Sequence, residues 1–146
     1  IVQGIKHTAK DMLGIPIPMF GVKGIRYLAK KVRNYPSSLG KAKASQWLGQ
    51  IVRAQEEIGT GGAGFRFMYA AFLQEASEIL QQEWLKKAAD DFTEIGDLWR
   101  NFAVETARIV KDRSKNEDSY NQAADLLSEI ARREELVFKQ LKNIKL

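Results

Sequence analysis

The residue types that carry most enzymatic chemistry are nearly missing from this chain. It has no cysteine and one histidine, His7. That removes a cysteine nucleophile, thiolate zinc sites and any multi-histidine metal centre, and His7 reads as a surface or interface side chain. Carboxylate pairs occur at Asp90-Asp91 and Glu134-Glu135 beside lysines and arginines. They read as solvated helix faces, and no Glu-x-x-His motif points to a di-iron bundle. The unusual run is Ile58-Gly59-Thr60-Gly61-Gly62-Ala63-Gly64-Phe65-Arg66, with four glycines in six residues. Glycines so dense are costly in backbone entropy, so the chain needs positive φ or a close backbone approach there. Where such a run enters a helix N-terminus, free N–H groups and the helix dipole make a potential anion site, and Arg66 would add charge. The same glycines could instead only allow a tight helix-to-helix crossing. It is not a Walker loop, because no Lys-Ser/Thr closes it and no strand precedes it.

The elements that must hold this run repeat at steps of three and four, with almost no period-two alternation. Glu83 to Asp112 is the clearest helix, with Leu85, Ala88, Ala89, Phe92, Ile95, Trp99, Phe102 and Ile109 on one face. Gly96 inside it is expected to let a neighbouring helix come close. After it, the polar run that begins at Asp112 reads as a solvated connection. The last helix carries Tyr120, Ala123, Ala124, Leu127, Ile130, Ala131, Val137, Phe138, Leu141 and Ile144. Glu134 interrupts that stripe. Either it pairs with a basic residue of another helix or the face turns outward there.

Upstream, Phe65 to Gln82 gives a further stripe. Lys41 to Ile58 gives another, including Trp47 and Ile58, with Ser37 or Ser38 as a possible N-cap. Gly21 to Tyr35 is expected to end before Pro36. A first helix covers Val2 to Leu13. Between these last two, Gly14 to Gly21 reads as an extended, apolar strap with two prolines, packed over the core. The expected fold is therefore all-α, a single-domain bundle of about six helices. Residues 1–146 are expected to form one helical domain, a piece of a longer chain with an N-terminal domain upstream. Without a long apolar run or signal sequence, the expected location is the cytoplasm and no membrane is expected as a partner.

Charge is uneven. From Ile1 to Gln55 ten Lys/Arg stand against Asp11 alone, a net +9, whereas Glu56 to Leu146 carries −4. The basic third could attract nucleic acid, an anionic membrane or an acidic protein, or it could be a solvated face that pairs with acids on the later helices or on a further domain.

Several motifs together resemble a known family. These are Gly24-Ile25-Arg26-Tyr27-Leu28-Ala29, Trp47, Gly59-Thr60-Gly61-Gly62, Phe65-Arg66, Tyr69, Phe72-Leu73, Glu75-Ala76 and Trp99. From about Gly24 to Phe102 the chain looks like the uncharacterised helical domain that follows the N-terminal domain of proteins related to butirosin-biosynthesis protein H. The resemblance implies an accessory role in secondary metabolism beside a papain-like cysteine acyltransferase or amidase-like domain, which would carry the cysteine and histidine. No cofactor, no metal and no catalytic residue is expected in this chain. Its implied partners are that N-terminal papain-like domain and an acidic acyl carrier protein. The residues carried over are Thr60, Gly61, Gly62, Arg66, Tyr69 and Glu75, bordering a cleft where a carboxylate or phosphopantetheine phosphate could be held. Arg66, Tyr69 and Glu75 could equally be structural groups that tie the loop down. Two other readings stay open: a free-standing basic nucleic-acid-binding module, and a bundle that binds a small molecule at the glycine loop. An exposed apolar patch at the strap would favour the accessory reading.

Overall fold

A computed structural model describes residues 1–58, 61–111 and 117–145. Among them are six helices and no strand: α1 (Val2–Gly14), α2 (Gly21–Leu39), α3 (Lys41–Glu56), α4 (Arg66–Leu80), α5 (Glu83–Val110) and α6 (Glu117–Lys142). The fold is the expected all-α bundle. α5 and α6 pack on each other as the central pair. α1 and α2 lie along α6, and α3 and α4 lie along α5. The core follows from the stripes: Phe92, Ile95, Trp99 and Phe102 of α5 are buried, as are Leu127, Ile130, Val137 and Phe138 of α6.

Gly96 does what its position suggests. A Cβ there would lie 2.5 Å from the ring of Phe67 in α4, so glycine leaves the space that the Phe67 ring fills. α4 ends at Gln81, whose left-handed φ of 53° reverses the chain into α5. The polar connection expected after α5 falls on residues 112–116, outside the described residues, and α6 begins at Glu117, within the polar run.

Four expectations need correction. α2 does not stop before Pro36 but runs through it to Leu39. Proline removes one backbone N–H there, yet only in the last turn, and the hydroxyls of Ser37 and Ser38 both donate to the Asn34 carbonyl at 3.0 and 2.8 Å. Those serines therefore finish α2, and the cap of α3 is Gly40, with φ 73°. Trp47 and Ile58 are exposed, because α3 is an edge helix whose narrow inner face carries Ala44, Leu48 and Gln55.

The strap also differs. Its backbone is clamped, but its side chains are not buried. Gly24 leaves room for the Met19 carbonyl, which a Cβ would meet at 2.5 Å. Gly21, at φ 61°, likewise faces the Met12 carbonyl at a distance no side chain would tolerate. With backbone filling those spaces, Ile17, Met19 and Phe20 are left about half exposed or more.

Candidate functional site

From Gly61 on, the glycine run is the most unusual backbone among the described residues. Gly61, Gly62, Ala63, Gly64 and Phe65 have φ of 65°, 83°, 51°, 54° and 69°, five successive residues on the left-handed side. Left-handed backbone costs an L-residue roughly 1 kcal/mol or more, so Ala63 and Phe65 stay there only because their surroundings hold them. Gly59 and Thr60 lie outside the described residues.

What holds the run is a polar cluster drawn from four helices. Arg66, at the start of α4, donates from Nε to Glu134 Oε1 at 2.7 Å and from Nη2 to Oε2 at 3.1 Å. Its Nη1 donates back to the Gly64 carbonyl at 2.7 Å. The guanidinium also lies over the Trp99 ring, 5.2 Å from its centre. Glu134 is 0% exposed and accepts a further bond from Trp99 Nε1 at 3.1 Å. From the other side, Glu56 at the end of α3 accepts the Ala63 N–H at 3.2 Å and Gln55 Nε2 at 2.8 Å. Gln55 Nε2 also donates to the Trp99 carbonyl at 3.0 Å. A Cβ on Gly62 would sit 3.2 Å from Glu56 Oε2 and 3.6 Å from Arg100 Nη2, and the Arg100 guanidinium stacks on Phe67.

Glu134 thus pairs with a basic residue from another helix, the first of the two possibilities read from its stripe, and Glu134-Glu135 is not a solvated face. Chemically, the arrangement fixes a loop. The two anions held by the loop amide and by Arg66 are the chain's own Glu56 and Glu134. Any external carboxylate or phosphate would have to compete with them.

The structure brings Gly61, Gly62 and Arg66 together, with Tyr69 one turn further along α4. Tyr69 packs edge-on against Phe92, with ring centres 5.0 Å apart, and beside Phe138. Its buried hydroxyl has no hydrogen-bond partner among the described residues, and burial pushes its pKa up to about 12. Glu75 is not part of the group. It is exposed and nine residues beyond Arg66, about 14 Å along the helix axis. Sequence reasoning missed Glu56, Gln55 and Arg100. A carboxylate at the end of a helix facing a glycine run is the one signal that could have pointed to Glu56.

The basic third is partly neutralised from within. Arg26 pairs with Glu135, and Arg33 binds Asp125 at 2.5 Å and Asn121 at 3.2 Å, both across the α2–α6 seam. Lys23, Lys30 and Lys31 are exposed on α2, with Lys31 over the Tyr27 ring. No helix among the described residues is long and apolar enough to cross a membrane.

Fold and site together define an all-helical domain whose most unusual loop is locked by an internal ion pair. The chain belongs to the family described as Domain of unknown function (DUF4872), whose model matches residues 1–141. No curated protein and no solved structure matches it.

Proposed function

We propose that this chain is the accessory, partner-binding domain of a thioester-dependent cysteine acyltransferase-like protein of secondary metabolism, acting in the cytoplasm. It would dock on a papain-like N-terminal domain of the same chain. The observation that carries this reading is the strap: Gly21 and Gly24 seat its backbone, which leaves Ile17, Met19 and Phe20 exposed. Exposed apolar side chains on a fixed backbone suit a contact made without a large ordering cost. The lack of cysteine supports the same division of labour, with the chemistry carried by the neighbouring domain.

In this reading Gly61 and Gly62 border the cleft, and Arg66 keeps them in place through its bonds to Glu134 and the Gly64 carbonyl. Tyr69 backs the helix that follows, and Glu75 lies outside the cleft. The exposed lysines of α2 offer a surface for an acidic acyl carrier protein, with salt-sensitive affinity.

The test begins with the sequence upstream of Ile1 in the parent protein. A domain with cysteine and histidine in papain-like order is expected there, and a parent lacking one overturns the reading. The two domains, made separately, are then mixed and followed by analytical ultracentrifugation. A complex that forms with this chain but not with its M19E/F20E variant is the expected result. No complex, or one indifferent to those substitutions, rejects the strap as the docking surface.

A further inference from the structure

Of the three tryptophans, Trp99 is buried and Trp84 packs against the core, whereas Trp47 on α3 is 56% exposed. Trp47 lines a groove of about 390 Å³ with Leu39 from the end of α2 and with Lys43, Gln46 and Gln50 of α3. That size falls within the range of roughly 300–1,000 Å³ in which small-molecule sites lie. Residues 43, 46, 47 and 50 share one face of the helix, three and four positions apart. Among the described residues the side chains of Lys43, Gln46 and Gln50 and the Trp47 Nε1–H have no hydrogen-bond or ion-pair partner, and no carboxylate lines the groove. The groove is thus one aromatic plate, two free amides and one free cation. Lys43 stands in the first turn of α3, the positive end of the helix, where neither an acid nor a side-chain cap competes for that potential. Trp47 follows one turn later, about 6 Å along the axis.

We propose that this groove binds an adenine nucleotide, with the base stacked on Trp47, its edge on the glutamine amides and its phosphate on Lys43. Each part has its chemical match. The indole takes the face of a base. An amide both donates and accepts, so it pairs with adenine, which presents the N7 acceptor beside the N6 donor. Guanine presents two acceptors on the same edge, and one amide satisfies only one of them. The ammonium of Lys43 and the N-terminal end of α3 together favour a phosphate. The single sugar between base and phosphate suits the one-turn separation of Trp47 and Lys43.

Other occupants fit the lining less well. A neutral sugar leaves Lys43 without a counter-charge, and an apolar peptide covers both amides and the ammonium without partners, at a desolvation cost. The groove is also apart from the strap. The strap leads into α2 at Gly21, and Leu39 ends that helix about 27 Å further along its axis. Nucleotide binding here therefore does not depend on what docks at the strap.

The experiment is titration calorimetry of the chain with AMP, adenosine, GMP and ribose 5-phosphate. AMP is expected to bind at millimolar concentration or below, and more weakly as salt rises. Adenosine, which lacks the phosphate, and GMP should both bind several-fold more weakly, and ribose 5-phosphate should not bind. W47A should weaken AMP binding about tenfold or more, with its melting temperature nearly unchanged because the ring is exposed. K43M should bind AMP no better than adenosine. A chain that does not bind AMP at millimolar concentration overturns the inference. So does AMP binding that is indifferent to W47A, or GMP that binds as well as AMP. A single strand of adenylates that binds where AMP does not also overturns it, and assigns Trp47 to nucleic acid instead.

Discussion

Arg66 and Glu134 show how much depends on one buried pair. Removing one partner leaves the other charged and without a counter-ion, at a cost on the order of 3 kcal/mol. E134Q should therefore lower the urea midpoint strongly. Replacing both residues, as in R66M/E134L, should cost less than the sum of the two single changes, and a double-mutant cycle measures that difference. Tyr69 gives the opposite prediction. Its hydroxyl is buried without a partner, so Y69F should match or exceed the parent in stability below pH 9. Burial holds the folded pKa near 12, above the ordinary 10. The unfolded chain then loses this proton first, and stability falls as pH rises from about 10 to 12. Thermal melts at pH 7 and 11 should show Y69F losing less of its stability than the parent. Of these residues, the sequence made Glu134 legible as an oddity, because a carboxylate in the middle of an apolar stripe must be paired or turned out. It did not name Arg66 as the partner, since the two are far apart in the chain and only the packing of α4 on α5, which brings the Arg66 side chain within reach of α6, joins them.

Among the helices, the glycines separate into those that fill a need and those that do not. In α5, G96A would push into the Phe67 ring, and overpacking of that kind costs about 1–3 kcal/mol, more than alanine returns in helix propensity. Gly4 in α1 has nothing within 4 Å of a would-be Cβ, so G4A should stabilise by up to about 1 kcal/mol. Chemical denaturation of both variants checks the contrast. Helix number and order were readable because each stripe lacks strand alternation and is broken by glycine or polar residues. Boundaries were less so. Pro36 looked like a stop, but a proline in the last turn gives up a single bond, and two serine hydroxyls shift the true end to Gly40. Trp47 looked like a core or interface residue because periodicity marks a helix face without saying how many neighbours that face has. α3, at the edge, has too few to cover it.

Across the whole molecule, the net +9 of the first third is partly met by α6 through Arg26–Glu135 and Arg33–Asp125. Glu135 is held below the usual carboxylate range by hydrogen bonds from Lys139 and Arg26. Glu129 is held at about 2 by Arg132 and Arg133. Both carboxyls bind protons more readily in the unfolded chain, so their contribution is complete above about pH 4.5 and is lost as pH falls below it, for Glu129 through about pH 2. The urea midpoint should drop between pH 6 and pH 3, and the drop should shrink in E129Q/E135Q. Each exposed pair contributes little, so the unmodified chain at pH 6 should lose only slightly in 1 M salt. One further consequence belongs to the chain's handedness. Between α3 and α4 the backbone passes through five consecutive residues of mirror-image twist, the geometry that amino acids of the opposite chirality prefer. A chain assembled by chemical ligation with D-alanine in place of Gly61, which is exposed and has φ 65°, should melt higher than the natural one. L-alanine at the same place should melt lower.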